Sequence, residues 1–443
     1  MKNIGLNLTK SLAIQRKAKD LIPGMTQLLS KRPDRFSYGV WPCYYKKAKG
    51  VEVWDLDGNM YTDMSIGGIG ANILGYADPE VDQAVIQAIQ NGSCCSLNCP
   101  KEVELAELLC ELHPWAEMVR YARTGGEAMA IAVRIARAHT GRDKIAFCGY
   151  HGWHDWYLAA NLGKEDALNG HLQAGLIPNG VPKGLLGTAL PFRYNDLDAL
   201  QGIVRKNMNE LAAIVMEPIR NFEPDNGFLQ MVGALAKENN IVFILDEISS
   251  GFRLNTGGAH LILGITPDMA IFSKALGNGY PISAIIGKSE VMEAAQKTFI
   301  SSTNWTESVG PAAALAMIRK HRKVDAGKHL VAIGEKVQQG ISALAKKRGL
   351  GLDMLGIPPL THFSFQMENA HEIKAFFVQL MITQGFLASN LFYSMYAHSM
   401  KNVEDYLHAA DLAFAEIVDA LGKSKVKENL IGQPAVSGFK RLA

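Results

Sequence analysis

The sequence predicts an α/β fold, a large domain built on a mostly parallel sheet flanked by helices, together with a smaller α+β domain. Three observations carry that prediction. Short unbroken apolar runs recur through the middle of the chain, amphipathic helical stretches separate them, and the two ends of the chain follow other patterns.

Near the start, residues 49–63 (KGVEVWDLDGNMYTD) alternate apolar and polar around Asp57-Gly58-Asn59, the pattern of an antiparallel hairpin. Glu127–His139 sets Met129, Ala132, Val133 and Ala136 on one stripe, which predicts a helix. Lys144–Cys148, Ala212–Met216, Ile241–Leu245, Met269–Phe272 and Ala284–Ile286 read as strands. Runs of this kind, rich in Ile and Val and ending at polar or Gly residues, belong to strands covered on both faces. A helical stretch, Gly227–Glu238, lies between the second and third of them. After about Pro311 the chain turns to long helices, then a strand-like Leu360–Gln366 and a closing helix near Val403–Leu421. The expected divisions are residues 1–75 and 321–443 for the small domain and 76–320 for the large one. The basic, polar stretch Lys423–Ala443 is expected to be partly disordered.

Composition narrows the classes. Of 443 residues 48% are hydrophobic, and 45 Lys and Arg nearly cancel 43 Asp and Glu. The cations are spread along the chain, so the concentrated basic face of a nucleic-acid binder is missing. The chain has neither the low hydrophobicity nor the high net charge of a disordered one. Lys2, Lys10, Arg16, Lys17 and Lys19 interrupt the N-terminus, so no secretory signal is expected. No apolar run approaches the roughly 20 residues of a membrane span. Six cysteines without paired CxxC spacing read as thiols in a reducing compartment, and a cytoplasmic enzyme with no metal is expected.

Ligands of open parallel sheets bind beyond the carboxyl ends of the strands. One predicted strand ends in Asp246-Glu247, and a buried carboxylate there needs a cationic partner. The next delivers Ser273-Lys274 into a Gly-rich segment, where reduced solvation would lower the Lys274 pKa and free its amine for imine chemistry. Each residue alone also fits a structural ion pair. Thr124-Gly125-Gly126-Glu127 opens a helix and offers unpaired N–H groups to a phosphate, or else is an ordinary N-terminus closed by a capping box. Gly149-Tyr150-His151-Gly152-Trp153-His154-Asp155 puts an aromatic after a strand end, where it can stack on a planar ring. His151, His154 and Asp155 lack the further ligands of a metal site. A lysine for an imine, an aspartate for a pyridinium nitrogen, an aromatic and a helix terminus together are what pyridoxal phosphate requires.

Those residues, with Leu21-Ile22-Pro23-Gly24, the segment Asp55 to Asp63 and Ala397-His398-Ser399, resemble class III aminotransferases of pyridoxal phosphate (PLP) fold type I, especially those like glutamate-1-semialdehyde aminomutase. The resemblance covers most of the chain and implies a seven-stranded large-domain sheet. It implies that Asp246, opening Asp246-Glu247-Ile248-Ser249-Ser250-Gly251-Phe252-Arg253, faces the pyridine nitrogen, that Ser249 lies beside the cofactor, and that Lys274 carries the imine. It sets Tyr150 over the ring, Glu217-Pro218 next to the cofactor, and Gly125 and Gly126 at the phosphate. Gly126 stands where the family has a residue whose hydroxyl helps to hold phosphate, which leaves more to backbone donors. Thr306, counted back from Pro311, would reach the phosphate of a neighbouring subunit, so the resemblance implies a homodimer with shared sites.

The implied reaction moves an amino group, usually from L-glutamate, to a carbonyl acceptor. An aminomutase would use the same core residues. Trp305, Arg220 and His151 are the expected substrate residues, and Arg220, where the aminomutase pattern has Val-Gly in place of Arg, favours a transferase. Arg220 is equally a structural partner for Glu217 or Glu223. Ser301 to Glu307 is similar to the corresponding stretch of nucleotide-independent sugar-acid aminotransferases, which implies an acceptor such as 8-oxo-3,8-dideoxy-manno-octulosonate, whose 8-amino product belongs to lipopolysaccharide. A non-catalytic binding module of the same fold is a third reading, and the joint presence of Lys274, Asp246, Tyr150 and Thr306 argues against it.

Overall fold

A computed structural model describes residues 5–171 and 174–438. The chain divides into two compact units, one of Met1–Asp78 with His329–Ala443 and one of Pro79–Lys328. In the first, β1 (Tyr45–Lys49), β2 (Glu52–Asp55) and β3 (Met60–Met64) come early in the chain. The second contains β4 (Met118–Ala122), β5 (Lys144–Cys148), β6 (Ala189–Pro191), β7 (Leu211–Met216), β8 (Val242–Asp246), β9 (Met269–Phe272) and β10 (Ser283–Gly287). The first resumes with β11 (Leu352–Leu355), β12 (Leu360–Phe365), β13 (Phe386–Ala388) and β14 (Leu391–Tyr393).

The seven strands of the second unit form one sheet in the order β4-β10-β9-β8-β7-β5-β6. All neighbours are parallel except at β10, which runs antiparallel to both β4 and β9. Helices cover both faces. On β5, Ile145 and Phe147 join the core under the helix Gly125–Thr140, while Ala146 and Cys148 join the one under the helices Leu197–Lys206 and Phe228–Glu238. Alternate side chains of a strand point to opposite faces, so a sheet covered twice demands apolar residues at every position. That is why β5, β7, β8 and β9 read as continuous apolar runs.

The chain leaves β5, pairs β6 outward on one side, then returns to build β7, β8 and β9 on the other. A crevice therefore opens beyond the carboxyl ends of β5 and β7, where the winding reverses. The loops that emerge along this edge carry Gly149 to Asp155, Glu217 to Phe222, Glu247 to Ser249 and Ser273-Lys274.

In the first unit, β2 and β3 pair antiparallel around the Asp57-Gly58 turn, β1 pairs with β2, and β13 adds in parallel to β3. Asp55 closes the turn, its Oδ1 accepting from the Asp57 and Asn59 N–H groups at 2.9 Å each. Part of the tail, expected to be partly disordered, is ordered. Val426–Asn429 is helical, Gln433 N–H donates to Tyr38 O at 3.1 Å and Val436 N–H to Asp34 O at 2.8 Å, so backbone bonds hold it despite its polar composition. Residues 439–443 of that stretch lie outside the described residues. No helix among the described residues is long and apolar enough to cross a membrane.

Candidate active site

A cavity of about 440 Å³ lies at the carboxyl edge of the sheet, lined among others by Gly125, Gly126, Tyr150, Asp246, Ser249 and Lys274. These residues come from four loops up to 149 positions apart, and the parallel strands bring them together. Lys274 opens the short turn after β9 with φ at 46°. That left-handed backbone is unusual for a residue with a Cβ and is the kind of strain found at functional sites. Its Nζ donates to Ser249 Oγ at 2.6 Å. Burial, then the nearby Arg220 guanidinium, push the ammonium down to about 8 against the pull of Glu217 and Asp246. A substantial share of neutral amine is therefore present at mildly alkaline pH.

Asp246 ends β8 buried, 3% exposed. Its Oδ2 meets His151 Nδ1 at 2.7 Å, and its Oδ1 accepts the Ile248 N–H at 3.0 Å. The cationic partner that the sequence required is thus an imidazole. His151 Nε2 faces the Cys148 carbonyl at 3.0 Å, so both ring nitrogens have partners. His151, expected at the substrate, is 1% exposed and lines the same cavity, its ring held between two fixed acceptors.

Thr124 caps the helix Gly125–Thr140 and Glu127 completes the capping box. The box leaves the Gly125 and Gly126 N–H groups with no hydrogen-bond partner among the described residues, facing the cavity. Space is tight at two of the glycines around this turn. A Cβ on Gly125 would lie 2.8 Å from Ile248 Cδ1, and one on Gly152, whose φ is 100°, would lie 3.1 Å from the Gly126 Cα. Two unpaired N–H groups at the positive end of a 16-residue helix suit a phosphate.

Glu217, after β7, accepts the Tyr150 N–H at 3.4 Å and pairs through Oε1 with Arg220 Nη1 at 2.9 Å. Burial works to raise the Glu217 carboxyl, but Arg220 first and His151 second outweigh it and hold it below the usual range. Glu217 and Arg220 line a second cavity rather than the one around Lys274.

Trp305 and Thr306 are not gathered into the cavity of their own chain. Trp305, expected at the substrate, packs on the apolar core of its unit, its carbonyl accepting from Arg123 Nη2 at 2.9 Å. Thr306 is exposed and donates to Thr303 O at 2.9 Å. Four cavity residues had stood in the quoted motifs with no role at the site: Gly152, Trp153, Ile248 and Ser273. Trp153 stood in the aromatic segment that was singled out, and its 69% exposure is the signal that marks it afterwards. Among the described residues no group of three or more His, Cys, Asp or Glu is placed to hold a metal ion.

Comparison with known proteins gives the class. The family model for class-III aminotransferases matches residues 36–387. A 3-aminobutyryl-CoA aminotransferase of Cloacimonas acidaminovorans is 36% identical over 82% of this chain and 86% of its own length. A 2'-deamino-2'-hydroxyneamine transaminase of Streptomyces kanamyceticus is 34% identical over 75% of this chain and 80% of its own. The fold is also that of the FumI protein of Sphingopyxis sp. MTA144, solved with PLP, at a TM-score of 0.84 and 24% identity over 96% of this chain and 99% of that one. The chain belongs to the class-III aminotransferases, a PLP-dependent family of α/β fold.

Proposed function

We propose that this class-III aminotransferase carries an amino group from L-glutamate to an aldehyde or ketone acceptor of the sugar-acid class, such as 8-oxo-3,8-dideoxy-manno-octulosonate on the way to an amino sugar of lipopolysaccharide. The observation that carries the reading is the convergence of Lys274 Nζ, the Asp246 carboxylate and the free Gly125 and Gly126 N–H groups on one cavity.

Gly125 and Gly126 would hold the phosphate of PLP, Asp246 its ring nitrogen, and Tyr150 and Ser249 the flanks. When bound, the cofactor supplies a carbonyl to condense with amines and a ring that takes up electrons released at the substrate carbon. The remaining work falls to the chain. Lys274, with its ammonium lowered, takes a proton at Nζ from the substrate carbon and returns it at a neighbouring atom. His151 fixes the Asp246 carboxylate in orientation and charge. Arg220 offers a bidentate fork to a substrate carboxylate when it leaves Glu217.

The reading includes a homodimer in which Thr306 of a second copy completes the phosphate site, supported by its exposure and its place outside the cavity of its own chain. A cytoplasmic location is supported by six free cysteines. Transfer between two molecules, rather than an aminomutase reaction within one, is supported by Arg220 and by relatives named as aminotransferase and transaminase.

Adding L-glutamate alone to the purified holoenzyme tests the reading. Loss of the absorbance band at the visible edge, with one equivalent of 2-oxoglutarate released per site, is expected. An unchanged spectrum would remove glutamate as donor and bring the aminomutase forward.

A further inference from the structure

The second cavity, about 430 Å³, sits where the winding of the sheet reverses and is lined by loops that follow three adjacent strands, β5, β6 and β7. Gly149 and His171 come after β5, Arg193 after β6, and Glu217, Arg220 and Asn221 after β7. Glu217 joins it to the reaction centre: its Oε2 takes the N–H of Tyr150, which lines the first cavity, and its charge and that of Arg220 both act on the Lys274 amine.

The polar groups here are mostly donors. The Arg193 guanidinium has no hydrogen bond or ion pair among the described residues, and it lies against Gly170, where a Cβ would stand 3.5 Å from its Nη2. His171 Nδ1 accepts the Gly149 N–H at 3.1 Å, which makes that nitrogen the unprotonated one. Burial first, then His151 and Arg193, push its imidazolium down to about 4, so the ring is neutral at physiological pH. Its proton then sits on Nε2, which has no partner among the described residues. The Asn221 amide is likewise without a partner among them. The only carboxylate among the lining residues, Glu217, is already joined to Arg220.

The rim is built in advance. Tyr194 Oη donates to Pro218 O at 2.5 Å, and Asn195 spans from Glu223 O at 3.1 Å to the Asp225 N–H at 3.0 Å, stapling the loop after β6 to the loop after β7. A pre-formed pocket that offers an exposed guanidinium and two neutral donors, none with a partner among the described residues, suits a ligand rich in acceptors and bearing negative charge.

We propose that this cavity is a subsite for the carboxylate-bearing, hydroxylated end of the acceptor, with Arg193 as its free cation and His171 Nε2–H and Asn221 as its neutral donors. The proposal rests on the aminotransferase reading for its use, because that reading makes the neighbouring Lys274 the place where the carbonyl end reacts.

The test is calorimetric titration of the holoenzyme with D-gluconate and with D-glucitol, its uncharged counterpart, in wild type, Arg193→Gln and Arg193→Lys, with the cofactor absorbance recorded in each sample. Gluconate should bind at least about tenfold tighter than glucitol. Arg193→Gln should erase that difference without altering the absorbance, and Arg193→Lys should keep part of it. Equal binding of the two probes, no binding of gluconate, or gluconate binding indifferent to Arg193→Gln would each overturn the subsite while leaving the aminotransferase reading intact. Arg193-dependent binding of gluconate in a protein that takes up no PLP would keep the subsite and sink the aminotransferase reading.

Discussion

Asp246 and Glu247 are neighbours at the end of β8, both buried and both paired with an imidazole, yet their surroundings differ. Glu247 is sealed: its Oε1 accepts from His260 N at 2.9 Å and meets His260 Nδ1 at 2.8 Å, and its Oε2 accepts from Ser250 Oγ at 2.5 Å. The Trp115 indole, a donor only, gives its N–H to His260 Nε2 at 3.0 Å, which fixes the proton on Nδ1 and closes the network. Burial acts to raise the Glu247 carboxyl, but its hydrogen bonds from His260 and Ser250 hold it below the usual range. Asp246 has the same kind of partner at 2.7 Å but also lines a cavity. Both Asp246 oxygens also have partners, so the difference lies in the surroundings: a buried carboxylate with an imidazole is a brace where the protein encloses it and a site where it also borders open space.

The same substitution on each side should therefore separate function from stability. On the proposed reading, Asp246→Ala is expected to lower the rate of the glutamate half-reaction on the order of a thousandfold, about 4 kcal/mol, since the charge proposed to face the ring nitrogen is gone. The apoprotein should unfold near the wild-type midpoint, because water entering the cavity reaches the freed His151. Glu247→Ala should do the reverse. It strands the His260 N–H and Nδ1–H in a dry interior and is expected to cost about 1–3 kcal/mol of stability for each stranded donor in a thermal or urea melt, while folded protein keeps its cofactor spectrum. If Glu247→Ala melted like wild type and lost its spectrum, the distinction between brace and site would fail.

How much of this was visible beforehand follows from the same physics. Lys144–Cys148 and Met269–Phe272 are strands with the bounds expected, because burial on both faces writes an unbroken apolar run. Two strands of the large sheet gave no such signal. β4 lies at an edge with Arg120 and Tyr121 only partly buried, and β6 is three residues long and ends in Pro191. Lys274, Asp246, Tyr150 and Gly125 to Gly126 were legible because each follows a strand or opens a helix. The pairing of Asp246 with His151 was not, since 95 positions separate them and only the neighbourhood of β5, β7 and β8 in the sheet brings them together. Arg193 and His171 come from irregular loops with no period to mark them.

Lys274 extends the comparison to a cation, and the expected effect is the smallest. Its ammonium is lowered from 10.5 to about 8, chiefly by burial, so the folded protein gives up a proton that the unfolded chain keeps. Between about pH 8 and 10.5 the unfolded state binds more protons, and stability must rise with pH through that window. Below it both states are protonated and the whole cost of holding an ammonium in the cavity is present. At about 1.4 kcal/mol per unit the shift bounds that cost near 3 kcal/mol, and water in the cavity reduces it to about 1–2 kcal/mol. Lys274→Met should therefore make the apoprotein more stable at pH 7 and flatten its rise toward pH 10. Lys374, also lowered to about 8 by burial, contributes the same slope to both proteins and cancels in the difference between their melts. A variant no more stable than wild type at pH 7, with an unchanged slope, would mean that the cavity holds the ammonium at no cost. Lys274 would then be a brace like Glu247 rather than an amine kept ready to react.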